Sequence, residues 1–202
     1  HWDDYLKDAM TKKISYHHLL TTIVTDEYQN RSQRRRDARI KAAKIPQLLV
    51  METFPFEAQP QLKKKLVLEL YDSMRFINEK QFLLFMGPTG CGKTGLATSY
   101  LIQAINQGYR GRFIDFNVLI DTLYQAGATH REKNVIKQFA SVECLLIDEI
   151  GYTNIDKAKA CLFFDLMKQR HNKQCTILTS QLGFEEWGSF IGDKHLTAAL
   201  LD

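Results

Sequence analysis

The fold of this chain is decided by eight residues, Gly87-Pro88-Thr89-Gly90-Cys91-Gly92-Lys93-Thr94. They follow an apolar run over residues 81–86 that is typical of a strand, and they open a segment from Lys93 to about Gln107 that is typical of a helix. The pattern G-x-x-x-x-G-K-[ST] between a strand and a helix is that of a phosphate loop. Its glycines let backbone N–H groups turn toward a polyphosphate, and the helix N-terminus adds the positive end of a dipole. The sequence therefore predicts a site for a nucleoside triphosphate.

The roles within this loop follow from the chemistry of its side chains. Lys93 can reach the outer phosphates and assist catalysis, and the Thr94 hydroxyl can ligate Mg²⁺. We expect nucleotide contacts from all eight residues and from the adjoining Gly95. The alternative is a glycine-rich turn with an incidental lysine, and the strand and helix on either side favour the phosphate loop.

A second motif tests this interpretation. Residues 141–149 form an apolar strand pattern that ends in Asp148 and Glu149, about fifty residues after the lysine. In a nucleotide-hydrolysing domain, Asp148 would hold Mg²⁺ through its water shell and Glu149 would accept a proton from the attacking water. Acidic residues at a strand end also simply cap turns. Together with the phosphate loop, however, the pair predicts hydrolysis as well as binding.

Composition and cysteine usage limit the class of protein. With 202 residues and 45% apolar content, the chain has room for one substantial core and a small appendage. No apolar run approaches the ~18 residues that would span a membrane, and the first residues do not resemble a signal peptide. The four cysteines lack metal-ligand spacing. We therefore expect a cytoplasmic protein with reduced thiols and without a zinc site.

The net charge is concentrated in the first part of the chain. Residues 1–80 hold 15 Lys and Arg against 11 Asp and Glu, whereas residues 81–202 hold 12 of each. Such a local excess of positive charge is an electrostatic footprint of nucleic-acid binding. Between residues 31 and 44 Asp37 is the single acid among seven bases. The predicted DNA contacts are Arg31, Arg34, Arg35, Arg36, Arg39 and Lys41.

The basic stretch belongs to a predicted helix. Apolar residues recur at three- and four-residue spacing from Tyr16 to Tyr28, Ser15 is placed to cap the helix, and Pro46 disfavours helix at the preceding residue. Four of the arginines then fall within an arc of about 140° on the helix surface. The alternative is a solvated charged face. Because this face is rich in arginine and carries one sign of charge, we favour contacts with DNA phosphates.

The rest of the sequence predicts the domain organisation. Residues 1–53 are expected to form a helical, basic, DNA-binding domain, residues 54–61 a linker with two of the four prolines, and residues 62–202 the nucleotide-binding domain. An apolar stripe from Leu62 to Ile77 predicts one helix. Beyond it, strand patterns at 111–116, 141–149 and 174–180 alternate with helical ones, which predicts an α/β fold with a parallel sheet covered by helices.

Polar residues end the last of these strand patterns. Open α/β sheets bind ligands at the carboxyl ends of their strands. We therefore expect Thr179, Ser180 and Gln181 to lie beside the γ-phosphate, and we assign Ser180 and Gln181 to the nucleotide site. A simple strand cap is the alternative.

These motifs together resemble a known family, the IstB-type AAA+ ATPases of insertion-sequence transposons. The Arg-rich helix followed by Ile45-Pro46 is similar to the N-terminal domain of that family, and DnaC-like replicative helicase loaders share most of the pattern. The resemblance covers nearly the whole chain. In the nucleotide-binding part it rests on residues 87–94 and 144–149, Ile150-Gly151-Tyr152, residues 176–181, Trp187, Phe190 and Leu200-Leu201-Asp202.

The resemblance implies a P-loop NTPase of the AAA+ class preceded by a small helical domain. It implies a homo-oligomer with ATP and Mg²⁺ at subunit interfaces, assembled on duplex DNA, which regulates a partner transposase in DNA transposition. It also implies that a C-terminal strand, a lid and an arginine acting on a neighbouring subunit would lie beyond Asp202. A DnaC-like helicase loader acting on single-stranded DNA is the alternative. The resemblance further suggests that residues 117–126 turn toward DNA, but their sequence is not basic.

Overall fold

A computed structural model describes residues 5, 7, 10–12, 14–152 and 155–192. The chain divides into two compact units, His1–Arg39 and Ile40–Asp202. This division does not coincide with the predicted boundary after residue 53, because residues 40–53 belong to the second unit. The tail motif Leu200-Leu201-Asp202 lies outside the described residues.

The first long helix, α1, spans Tyr16–Ala43. It begins where predicted, since the Ser15 Oγ accepts a hydrogen bond from the backbone N–H of His18 at 3.3 Å. It ends three residues before Pro46, with Lys44 in the left-handed region at a φ of 54°. Within the second unit, Ala43 of its last turn is fully buried in the core.

The second unit contains a parallel four-stranded sheet among the described residues. The strands β1 (Phe82–Met86), β2 (Gly111–Asp115), β3 (Cys144–Ile150) and β4 (Cys175–Ser180) lie in the order β1-β4-β3-β2. All neighbouring pairs are parallel. The α/β fold with a parallel sheet is thereby confirmed.

Helices cover both faces of this sheet. In chain order after α1 they are α2 (Lys64–Ser73), α3 (Arg75–Asn78), α4 (Lys93–Asn106), α5 (Phe116–Ala128), α6 (Glu132–Ala140), α7 (Lys157–Arg170) and α8 (Phe184–Ile191). Successive side chains of a strand point to opposite faces. On β3, Cys144 and Leu146 therefore pack with α4, whereas Leu145 and Ile147 pack with α5 to α8. Two-sided burial explains why this strand is apolar at every position before its acids.

Two expectations for residues 51–77 need correction. The apolar stripe that ends at Ile77 forms two helices, because Met74 takes a left-handed backbone with a φ of 53° between α2 and α3. The segment predicted as a linker, residues 54–61, packs Phe54 and Phe56 against the core of the second unit. Two 3₁₀ turns, Met51–Thr53 and Phe56–Ala58, form here, and Met51 is buried. The ring of Phe54, which follows the first turn, meets the ring of Phe56 edge to face with the ring centroids 4.9 Å apart. Proline here ends helical structure without separating the segment from the core.

Candidate functional site

The phosphate loop connects β1 to α4, and its shape depends on glycine. Gly90 and Gly92 have φ angles of 82° and 89°, a region that residues with a Cβ rarely adopt. Gly92 is also the N-cap of α4, so the loop leads directly into the helix N-terminus. A side chain at Gly92 would in addition meet the ring of Phe54, which lies 3.1 Å from the position of its Cβ. The loop is thus a concave surface of backbone at the positive end of a helix dipole.

Lys93 lies across this loop. Its Nζ donates hydrogen bonds to the carbonyl oxygens of Gly87 at 2.7 Å and Pro88 at 2.8 Å. The ammonium group is therefore held within the concave surface that a polyphosphate would occupy. Phosphate oxygens are stronger acceptors than carbonyl oxygens, so the loop and this lysine fit a bound triphosphate.

The predicted metal ligands, Thr94 and Asp148, are brought together by the fold. The Thr94 Oγ1 donates a hydrogen bond of 3.0 Å to Asp148 Oδ1, although the residues are far apart in sequence. Thr179 Oγ1, at the end of β4, donates to the same carboxylate oxygen. Asp148 is 5% exposed and is held by these two hydroxyl groups. Hydroxyl and carboxylate oxygens are the ligands that Mg²⁺ prefers, so this donor set fits the ion.

Glu149 is presented by a bulge in β3. Between the pairs Ile147–Leu178 and Ile150–Ser180, two residues of β3 oppose Thr179 alone. Glu149 takes a left-handed backbone with a φ of 64°, its N–H donates to Thr179 Oγ1 at 2.9 Å, and its side chain is exposed. The bulge therefore separates the two acids, one held inward and the other directed to solvent.

The carboxyl group of Glu149 has a raised pKa. Loss of hydration around the carboxyl group is the largest cause of the raised pKa, followed by the negative charges of Asp148 and Asp115 and a hydrogen bond to Asp115, while the charge of Lys93 lowers it. Asp115 pairs with Asp148 in the register of β2 and β3, and its side chain caps α5 by accepting from the Val118 N–H at 3.0 Å. Sequence reasoning missed Asp115, although its place at the end of a strand is the signal used for Asp148.

The end of β4 divides into a structural and an accessible part. Ser180 is fully buried, and its hydroxyl donates to the Ile150 carbonyl at 3.0 Å and accepts from the Leu182 N–H at 3.0 Å. Gln181 instead accepts a hydrogen bond from Thr89 of the phosphate loop at 3.2 Å. Gln181 therefore stays a candidate nucleotide contact, and we withdraw Ser180 as a direct contact because its hydroxyl bonds to the backbone. Thr179, which was also expected beside the γ-phosphate, is buried, and its hydroxyl bonds to Asp148 and to the Glu149 N–H.

The phosphate loop and the first turn of α4 contact residues 49–54, a segment that no sequence pattern connects with them. Leu49 lies 3.2 Å from the position of a Cβ on Gly95, in the first turn of α4, and Phe54 lies beside Gly92. Cys91 Sγ lies 3.9 Å from Lys93 Nζ. Pro88 and Thr89 are exposed at the tip of the loop. Residues 49–54 therefore support the loop from one side, which is a tertiary contact without a local sequence signal.

The predicted DNA contacts lie along α1. Arg31, Arg34 and Arg35 are exposed, and Arg36 and Arg39 are partly buried. Arg31 pairs with Glu27 at 2.6 Å and Arg36 with Asp37 at 3.7 Å. Lys41 is exposed and belongs to the second unit. Arginines on exposed helix surface can reach a polyanion, and the proposed DNA contacts rest on this accessibility.

Among the residues that the structure describes, every helix is too short or too polar to span a lipid bilayer.

Comparison with protein families gives a match over the whole chain. The family model described as IstB-like ATP binding protein matches residues 1–202. An insertion sequence IS21 protein of Pseudomonas aeruginosa, whose name describes it as ATP-binding, is 35% identical over 202 residues, which are 100% of this chain and 76% of the relative. A similarly named insertion sequence IS5376 protein of Geobacillus stearothermophilus is 34% identical over 201 residues, covering 100% of this chain and 80% of the relative.

Solved structures resemble the nucleotide-binding fold. The DnaC helicase loader matches with a TM-score of 0.60 and 20% identity, over 71% of this chain and 85% of the loader. The replication initiator DnaA bound to AMPPCP and single-stranded DNA matches with a TM-score of 0.58 and 18% identity, over 68% of this chain. The chain spans 42% of that initiator. These likenesses show the fold.

Proposed function

The chain belongs to the family of IstB-like ATP binding proteins, and on that premise we propose that it is an AAA+ ATPase that assembles on duplex DNA and regulates a partner transposase. ATP is the proposed substrate, and the reaction is its hydrolysis to ADP and phosphate. The observation that carries this proposal is the placement of Lys93, Thr94, Asp148 and Glu149 around one phosphate loop.

Each of these residues has a distinct part in the proposed reaction. Lys93 would exchange its bonds to loop carbonyls for bonds to phosphate oxygens. Thr94 and Asp148 would hold Mg²⁺, which neutralises phosphate charge when bound. Glu149 is exposed and has a raised pKa, which brings its basicity closer to that of an efficient general base near neutral pH. Thr179 would position the acids, because its hydroxyl bonds to the Asp148 carboxylate and to the Glu149 backbone.

Binding to DNA is proposed from the basic face of α1. Arg34, Arg35, Arg39 and Lys41 form no ion pair within residues 14–152 and 155–192. Guanidinium groups contact phosphates without reading bases, so the proposed binding has weak sequence preference. The partner is proposed from the matched relatives, which are named as proteins of insertion sequences.

Oligomerisation is part of the same proposal. Pro88, Thr89 and Gly90 at the tip of the loop are exposed. A second copy of the chain could therefore approach a nucleotide bound there. We propose that ATP lies between subunits and strengthens their contact, and that hydrolysis through Glu149 loosens it.

The assembly state tests this function. Sedimentation velocity of the full chain measures the size of the assemblies. The runs use duplex or single-stranded DNA, with and without ATP, at two salt concentrations. We expect large assemblies that require ATP, favour duplex DNA and weaken with salt. Preference for single-stranded DNA would favour a DnaC-like helicase loader. Assembly of the same size with and without DNA would show that the basic helix α1 binds a protein partner instead.

A further inference from the structure

A groove with a volume of about 790 Å³ runs between α6 and α7 on the nucleotide-binding unit. Lys133 and Lys137 lie one turn apart on α6, which places them on one face of that helix. Lys168 follows from the last turn of α7, and Lys173 from the turn after it. Ile136 and Leu162 pack into the core beneath. Helices α6 and α7 and the turn after α7 thus place four ammonium groups around a single depression.

The positive charge of this groove is not neutralised locally. Glu132 and Asp165 also line it, so the lining has an excess of two positive charges. Within the described ranges 14–152 and 155–192, none of the four lysines forms an ion pair. Lys159, elsewhere on α7, provides the contrast, since it pairs with Asp121 at 2.9 Å and lies over the ring of Tyr124. The groove lysines, unlike Lys159, remain available to an external anion.

The chemistry of the lining favours a phosphate backbone over a protein. Interface cores between proteins are depleted of lysine and enriched in aromatic residues, whereas this groove is lined mainly by charged and amide side chains. Several compact ammonium groups spread over two helices suit the repeating charges of a nucleic-acid strand. We propose that this lysine groove is a second DNA-binding surface, which contacts phosphates from the nucleotide-binding unit itself. The proposal rests on the proposed function, because it presupposes that the chain binds DNA.

The test compares two variants of the full chain that remove equal charge from the same unit. The groove variant carries Lys133→Gln, Lys137→Gln and Lys168→Gln. The control carries Lys63→Gln, Lys65→Gln and Lys80→Gln, at exposed lysines outside the groove. Affinity for a labelled duplex of mixed sequence is measured by fluorescence anisotropy over a range of salt concentrations, with circular dichroism to verify folding.

We expect the groove variant to bind the duplex at least about tenfold more weakly than the parent. A plot of the logarithm of its binding constant against the logarithm of the salt concentration should become shallower by roughly two to three units, since each lost phosphate contact removes about 0.9. The control should stay within about twofold of the parent, since its lysines are not expected to contact phosphates. Asp165→Asn should tighten binding, because it removes a negative charge from the groove. A groove variant with the slope and affinity of the control would overturn the proposal.

Lysine acetylation followed by mass spectrometry gives a second readout in the parent protein. Duplex DNA should protect Lys133, Lys137 and Lys168 but leave Lys63 and Lys65 reactive. Protection by poly-glutamate and not by DNA would assign the groove to an acidic protein segment and overturn the proposal. If the parent binds duplex DNA through α1 while the groove lysines stay reactive, this inference alone fails. If the parent does not bind duplex DNA at all, the proposed function fails with it.

Discussion

Glu149 shows how a single residue gains a functional geometry from its surroundings. A left-handed backbone is unusual for glutamate and is stabilised here by the bond from its N–H to Thr179. The same hydroxyl holds Asp148, so one side chain of β4 sets the positions of both acids. Strained backbone at such a point favours a functional role for the residue, and Glu149 is our candidate for the general base.

We predict that Glu149→Gln retains ATP-dependent assembly on DNA but lowers ATP hydrolysis by at least about 100-fold, because an amide cannot accept the proton from water. Phosphate release and sedimentation measure the two properties separately. Glu185→Gln, at an exposed glutamate in the first turn of α8, is the matched control and should hydrolyse ATP at the parental rate. Parental turnover in Glu149→Gln would disprove the assignment of the base.

Asp115 gives a prediction on pH. Its charge and hydrogen bond raise the pKa of Glu149, and a base with a raised pKa loses activity as the pH falls through that value. Asp115→Asn removes the charge and keeps an oxygen that can cap α5. We therefore predict that the acidic limb of the kcat/KM profile for ATP moves to lower pH.

The pH profile of Asp121→Asn serves as the control for this prediction. Asp121 is an exposed acid on α5 that pairs with Lys159 and does not contribute to the pKa of Glu149. Its acidic limb should coincide with that of the parent. If Asp115→Asn also left the limb in place, Asp115 would have no influence on the base.

At the scale of elements, Arg170 joins the end of α7 to the sheet and to the turn after α6. Its fully buried guanidinium donates to the carbonyls of Phe139 at 2.7 Å, Val142 at 2.8 Å and Cys175, and to the Thr176 hydroxyl. Burial lowers the pKa of Arg170 to about 10, so the group remains charged at neutral pH. The charge is compensated by oxygen dipoles of several elements at once.

We predict that Arg170→Met lowers the free energy of unfolding by about 3–5 kcal/mol, because several buried oxygens lose their donor together. Urea denaturation followed by circular dichroism measures this loss. Arg75→Met is the control, since Arg75 is exposed and forms a surface ion pair with Glu79 at its own helix end, and it should cost about 0–1 kcal/mol. Equal losses for the two variants would show that the buried network contributes little.

At the scale of the whole molecule, the two units predict a separation of functions. The second unit holds the phosphate loop, both acids and its own core, whereas five of the six predicted DNA contacts lie in the first. We predict that a fragment of residues 40–202 binds a non-hydrolysable ATP analogue within about threefold of the full chain. Its affinity for duplex DNA should fall at least about tenfold, with a shallower salt dependence.

Calorimetry and anisotropy measure these two affinities. The full chain with Arg34→Gln, Arg35→Gln and Arg39→Gln is the matched comparison, since it removes charge from the basic helix without removing residues. Similar losses of DNA affinity in the fragment and in this variant are expected. A fragment that binds duplex DNA as tightly as the full chain would exclude α1 as a main DNA contact.

Much of this protein was predictable because the relevant rules are local. The glycines at residues 87–92 indicate the loop between a strand and a helix, and apolar periodicity indicates how strands and helices alternate. A capping serine and Pro46 indicate where α1 starts and ends. The break at Met74 was not predictable, since an apolar stripe continues across it. The placement of Phe54 beside Gly92 was missed for a related reason, because prolines indicate the end of a helix and not where the chain packs next.

The fold class, the phosphate loop and the candidate acids can be read from the amino-acid sequence, because each depends on backbone preferences and side-chain chemistry within a short segment. Which of these residues meet depends on the tertiary arrangement. The strand order places β3 between β4 and β2, so that Thr179 bonds Asp148 and Glu149 from one side while Asp115 approaches from the other. It also buries Ser180 and gathers lysines of two helices around one groove. Contacts between distant segments depend on strand register and helix packing, which no local pattern specifies.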